Sequence, residues 1–145
     1  MSGGVRYLLD TNVVSETRKT RPDKRVTGLL AAADASGLFL SVLTVGELRR
    51  GVAAKRRSDP DAAAHIAAWV DDLETNFADR ILPIDTAIAK VWGELSAHRS
   101  RPVVDTLIAA TALVHDLTLV TRNTEDVRGI AMSVIDPWTD GSAPT

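Results

Sequence analysis

Residues 5–19 read VRYLLDTNVVSETRK, and the fold turns on how they are understood. Val5 to Leu9 form a short apolar strand that ends at a carboxylate, Asp10; a helical pattern follows from Asn12 to about Lys19, and Pro22 breaks it. A carboxylate closing a buried strand is costly unless something pairs with it or it holds a cation. Strand, acidic residue, helix is therefore a unit with both a structural and a chemical meaning.

The alternation repeats outward along the chain. Asp23 can cap a second helix through LLAAADA (29–35), ended by Gly37, and LFLS (38–41) is a second strand. From Thr44, Val45, Leu48 and Val52 fall on one helical face, and KRRSDPD (55–61) reads as a charged turn. Pro60 and Asp61 open a long helix lined by Ile66, Trp69, Val70 and Leu73. RILPI (80–84) is a third strand, and Asp85 caps a helix with Ile88, Val91, Trp92 and Leu95 turned inward. After the loop HRSRP (98–102) comes a helix of small residues, LIAATALVH (107–115), whose alanines permit close approach to a sheet. TLVT (118–121), a short helix TEDVRG (124–129), MSVI (132–135) and the polar tail DGSAPT (140–145) complete the chain. Strands alternating with helices predict an α/β fold: a three-layer α/β/α sandwich around a short, mostly parallel five-stranded sheet, in one domain spanning 1–145. The first strand is expected at the centre, with the crevice beside Asp10.

Asp10, Glu47 and Asp105 each read as lying where a short apolar strand gives way to a helix. On parallel strands such residues converge at the carboxyl edge of the sheet, where ligands bind. Clustered carboxylates call for a hard, oxygen-seeking cation, Mg2+ or Mn2+. Each also has a plain structural alternative. Thr44-Val45-Gly46-Glu47 fits a capping box, Asp105 fits a helix cap, and Asn123-Thr124-Glu125-Asp126 resembles another.

Composition narrows the chemistry. The absence of Cys excludes disulfides, zinc–thiolate sites and thiol catalysis, and His65, His98 and His115 have no partner at metal-ligand spacing. No apolar run has the length of a membrane span and the N-terminus makes a poor signal peptide, so the cytoplasm is the expected location. The net charge of −2 conceals an asymmetry: residues 1–57 hold eleven Lys/Arg against five Asp/Glu, and residues 58–145 hold six against fourteen. The basic residues gather at Arg18–Arg25 and at Arg49, Arg50, Lys55, Arg56 and Arg57. Such patches attract phosphate backbones, although a solvated helix face looks the same.

Four strings, LLDTNVVSE (8–16), SVLTVGELRRG (41–51), VVDTLIAATALVHDLTLVTRN (103–123) and VIDPW (134–138), closely resemble the PIN-domain ribonucleases, nearest to the toxins of VapBC-type toxin–antitoxin pairs and their FitB-like branch. The resemblance runs over nearly the whole chain, in order. It implies a PIN-like fold and a metal-dependent endoribonuclease that hydrolyses RNA, such as tRNA or rRNA, with carboxylate-held Mg2+ or Mn2+. It implies Asp10, Glu47 and Asp105 as metal-site residues. Asn123 falls at the fourth acidic position, which Asp126 can fill instead. Thr11, Asn12 and Thr121 match polar residues that support the site. The resemblance implies a VapB-type antitoxin and a homodimer as partners, and Arg49, Arg50 and Arg56 become candidates for gripping RNA phosphates. The connection HRSRPVVD (98–105) is shorter than in many relatives. A haloacid-dehalogenase-type phosphatase would need a second Asp where Asn12 stands, and a response-regulator receiver lacks its acidic pair here. A degenerate PIN domain serving only as an RNA- or protein-binding module is the alternative from a different class.

Overall fold

The computed structural model describes residues 4–139. Among them, strands β1 (Tyr7–Leu9), β2 (Leu38–Ser41), β3 (Ile81–Leu82), β4 (Thr118–Val120) and β5 (Val134–Ile135) make one sheet in the order β3-β2-β1-β4-β5. All neighbours run parallel. The helices are α1 (Thr11–Glu16), α2 (Lys24–Ala32), α3 (Val42–Ser58), α4 (Pro60–Asn76), α5 (Thr86–His98) and α6 (Val103–Val114).

Side chains alternate across a strand, and the central strand shows what that does. Tyr7 and Leu9 enter one core with Val13, Val26, Leu40, Leu48, Val52, Val70 and Trp138. Leu8, between them, enters the other with Ile108, Ala109, Ala112, Leu119 and Val127. A strand buried on both faces must read as an unbroken apolar run, as YLL does. Ala109 and Ala112 are fully buried, so the helix of small residues does lie close against its side of the sheet. Among the described residues no helix is long and apolar enough to cross a membrane.

The chain leaves β1 toward β2 and β3, then crosses back to β4 and β5. The winding therefore reverses at β1, which opens a crevice at its carboxyl end. Asp10 stands there.

Several local expectations need correction. KRRSDPD is not a turn: α3 continues through Ser58, and only Asp59 separates it from α4. Asp59 caps α4 by accepting from the Ala62 N–H at 3.1 Å, and Pro60 occupies the first helical turn, where its missing N–H costs nothing. Lys55, Arg56 and Arg57 crowd the last turn of α3, where cations complement the helix dipole. Helix α3 begins two residues early, at Val42, because Ser41 caps it by accepting from the Leu43 N–H at 3.0 Å. The Thr44–Glu47 capping box therefore does not form. Nor does Asp105 follow a strand: Val103 and Val104 are the first turn of α6, which comes directly after α5. The cap position of α6 is Pro102, so Asp105 is not its cap. The Asp23 and Asp85 caps form as expected, each side chain accepting from a backbone N–H inside its helix. The tail DGSAPT lies outside the described residues.

Candidate active site

Asp10 is 5% exposed and ends β1. Its Oδ1 accepts from the Thr11 N–H at 2.8 Å, and its Oδ2 accepts from the Thr121 hydroxyl at 2.7 Å. The first bond caps α1 and the second crosses from β1 to the end of β4, so both carboxylate oxygens have fixed directions. Burial pushes the Asp10 carboxyl above its ordinary pKa; the Thr121 and Thr11 hydrogen bonds pull it back, and the charges of Glu47 and Asp126 push it up again.

Glu47 reaches the same crevice from the second turn of α3. Its Oε1 accepts a short hydrogen bond from the Thr11 hydroxyl, and the buried Thr44 Oγ1 lies 3.1 Å from that hydroxyl. Thr44 and Glu47 stand one helical turn apart on the same face of α3. Thr11 thus joins the Asp10 loop to the Glu47 helix through its backbone and its side chain together.

Asp105 projects from the first turn of α6. Its pKa is raised to about 7, first by burial, then by a hydrogen bond shared with the Asp126 carboxyl, then by the charges of Asp10, Asp126 and Glu47. Like charges this near disfavour ionisation of both carboxyls together. Among the described residues none of the ion pairs involves Asp10, Glu47, Asp105 or Asp126. Four carboxyl groups from four segments thus act on one another with no ion pair to any of them among the described residues.

Asn123 is exposed and contributes through its backbone, whose N–H donates to the Thr121 hydroxyl at 2.9 Å. The carboxyl that meets Asp105 comes three residues later, from Asp126 in the 3-10 turn Thr124–Val127. Asn12 Oδ1 accepts from the Arg122 N–H at 3.3 Å and ties α1 to the segment after β4. The stack of the Arg122 guanidinium over the Trp138 ring at 4.7 Å has no signal in the sequence. The three-residue spacing of Thr44 and Glu47 reflects not a capping box but their shared contact with the Thr11 hydroxyl.

The basic residues divide. Arg49 is bound to α4, its Nη2 2.6 Å from Asp71 and 2.7 Å from Glu74, so it braces two helices. Arg50 is exposed and lines a recess with Glu47, Gly46 and Val104. Arg56 is exposed nine residues beyond Glu47, which a helix of 3.6 residues per turn places on the opposite face. On the other flank, a recess of about 350 Å³ opens onto Glu47, floored by Leu48, Ile66 and Trp69 and edged by Arg18 and Lys55.

Residues 7–130 match the family model described as PIN domain. The chain belongs to the PIN-domain family. The PIN domain here is 35% identical over 138 residues to Toxin FitB of Neisseria gonorrhoeae, covering 92% of this chain and 99% of that protein. It is 34% identical to the VapC ribonuclease Y4jK of Sinorhizobium fredii, over 90% of this chain and 96% of that one. The crystal structure of FitAcB from Neisseria gonorrhoeae superposes with a TM-score of 0.82 at 33% identity, over 91% of this chain and 98% of the other. The five-stranded parallel sheet and its flanking helices are thus the PIN architecture.

Proposed function

We propose that this PIN domain is an endoribonuclease, the toxin of a type II toxin–antitoxin pair, and that its hydrolysis of RNA phosphodiester bonds depends on a divalent cation, Mg2+ or Mn2+. The observation that carries the reading is the mutual influence of the Asp10, Glu47, Asp105 and Asp126 carboxyls, none of them ion-paired among the described residues, at the point where the sheet reverses its winding. The relatives support it: one is the VapC ribonuclease Y4jK, another is Toxin FitB.

The donor set fits such an ion. Every side-chain donor is a carboxylate oxygen, the preference of hard divalent cations. Burial first, and then neighbouring carboxylates, raise the pKa values of Asp10 and Asp105. Among the described residues no three of these groups stand close enough together to enclose an ion, so their carboxyls would have to move closer to hold one. Asp10, Asp105 and Asp126 would hold the ion, with Glu47 beside them. When bound, the cation supplies an activated water and neutralises charge developing on the phosphate. The chain's own residues do the positioning. Thr121 and Thr11 fix both Asp10 oxygens, and the Thr11 hydroxyl aims Glu47, leaving its other oxygen free to orient a water. Arg50, one turn past Glu47, would receive the RNA backbone at the rim.

An antitoxin belongs to the same reading. The recess edged by Arg18 and Lys55 has an apolar floor and ends at Glu47, which suits a partner segment that lays down apolar side chains and places a basic one against the carboxylates. A homodimer is part of the proposal as well.

Purified protein incubated with total RNA, with and without Mg2+, tests it directly. Cation-dependent cleavage that Asp10→Asn abolishes is the expected result. RNA binding without cleavage at any divalent-ion concentration would make the domain a binding module instead.

A further inference from the structure

The short connection between α5 and α6 carries a side chain that reaches into the site's support. Arg101 is partly buried, and its Nη1 donates to the carbonyl oxygen of Asp126 at 3.2 Å and to that of Arg128 at 3.3 Å. It immediately precedes Pro102, the cap position of α6. Next to it, the Pro102 carbonyl accepts from the fully buried Thr106 hydroxyl at 2.6 Å. Asp105 lies in that same helical turn.

The turn that Arg101 clasps has few other restraints. Its internal hydrogen bonds run from the Asp126 N–H to Asn123 O at 3.1 Å and from the Arg128 N–H to Glu125 O at 3.2 Å. Asn123 provides no side-chain cap, and the Arg128–Glu125 ion pair is 71% exposed on both sides, where ion pairs hold little. Val127 anchors one side of the turn in the core; the Asp126 carboxyl is on the other. Immediately beyond, Gly129 adopts φ +85°, a conformation that favours glycine, and a Cβ there would stand 4.0 Å from Arg101 Nη2, at ordinary van der Waals distance. The Arg101 Nε has no partner although it is buried. The guanidinium is thus placed for the two carbonyls and not for its own full hydrogen bonding.

We propose that Arg101 is a positioning residue for Asp126: by bridging the start of α6 to the Asp126 and Arg128 carbonyls, it holds the 3-10 turn so that the Asp126 carboxyl meets that of Asp105. The inference rests on the carboxylate site being the cation site proposed above. One nitrogen of the guanidinium, Nη1, serves both carbonyls, so Asp126 and Arg128 are held to a single point on the α5–α6 connection. Residues that orient metal ligands commonly change metal affinity ten- to a hundredfold when replaced.

The test uses the whole protein and Mn2+ as probe, with affinities read by calorimetry or by the electron paramagnetic resonance of the free ion. Arg101→Gln is expected to weaken Mn2+ binding about tenfold or more. Without metal, it should also speed hydrogen exchange at the Asp126, Arg128 and Ile130 amides. In an Asp126→Asn background the same substitution should cause almost no further loss of affinity, because two groups acting through one another are not additive. If Arg101→Gln proves too unstable to purify, Arg101→Lys is carried through the same cycle. Unchanged Mn2+ affinity, unchanged exchange in the turn, or losses that simply add to those of Asp126→Asn would each overturn the inference and leave Arg101 a loop staple. Asp10→Asn separates the two levels: if it leaves Mn2+ affinity intact, the cation site itself is misplaced and the inference falls with it.

Discussion

The Thr121 hydroxyl donates to Asp10 Oδ2 at 2.7 Å while accepting from the Asn123 N–H at 2.9 Å, joining the ends of β1 and β4 to the segment that leads to Asp126. Two neighbouring parallel strands bring residues 111 positions apart into one hydrogen bond. Its consequence can be read by pH. The hydrogen bond lowers the Asp10 pKa against the burial that raises it, so Thr121→Val should move that pKa further up. The acid limb of the cleavage profile should shift to higher pH, and activity at neutrality should fall about ten- to a hundredfold. A pH–rate profile of both proteins checks it; an acid limb that does not move would detach Thr121 from the chemistry.

Asp126 and Asn123 should separate cleanly. Asp126→Asn removes a carboxyl that meets Asp105, and is expected to weaken divalent-cation binding and slow cleavage. Asn123→Ala leaves its backbone N–H in place, and no side-chain hydrogen bond of Asn123 occurs among the described residues, so both properties should stay close to those of the parent. The reverse pattern in a Mn2+ titration would restore Asn123 to the fourth position.

The legible parts of this molecule were those governed by local rules. β1 reads as a doubly buried strand because all three of its residues are apolar, and Asp10 stands out as the charge that ends it. The Asp23 and Asp85 caps follow from side chains that reach only two or three residues ahead. The errors arose where one local signal has two solutions. Val103 and Val104 are β-branched and suggest a strand, yet they form the first turn of a helix that packs on another helix. The string KRRSDPD has the polarity of a loop, yet Pro60 is compatible with a helix start and Asp59 serves both helices. The partners of Arg49 lie 22 and 25 residues away on α4, and those of Arg101 lie 25 and 27 residues ahead, distances at which composition is silent.

The basic run of α3 should divide as the contacts do. Arg49→Ala breaks the brace between α3 and α4 and is expected to lower stability by up to about 1 kcal/mol, with the salt dependence of RNA binding unchanged. Arg50→Ala should leave stability unaltered and reduce the slope of log K against log salt by about 1, the loss of one phosphate contact. Thermal melts and RNA titrations at several salt concentrations distinguish the two. A reduced salt slope in the Arg49 variant alone would mean that the ion pairs open on binding and that this residue meets RNA after all.

Asp105 makes stability depend on pH, with a sign opposite to that of an ion-paired carboxylate. Its pKa in the folded protein is about 7, above the ordinary value of 3.8. The folded state therefore binds the proton more tightly than the unfolded chain. The stabilisation is fully present below pH about 4 and is lost as pH rises through about 7. Asp10, shifted in the same direction, adds to the trend. The metal-free protein should thus melt at progressively lower temperature between these limits, once the opposing trend from lowered groups such as Asp23 is subtracted using an Asp105→Asn reference. Asp105→Asn should flatten the rise in proton-linked destabilisation and raise the melting temperature at pH 8, since it removes a charge from a crowded site. Divalent cation should act the other way, because it binds the ionised carboxyls: its affinity should climb as pH approaches and passes 7, and binding at pH 6 should release a proton that calorimetry in buffers of different ionisation heat can count. A melting temperature at pH 8 that is lower in Asp105→Asn than in the parent, both without metal, would show that the Asp105 charge is balanced by a group other than a bound ion.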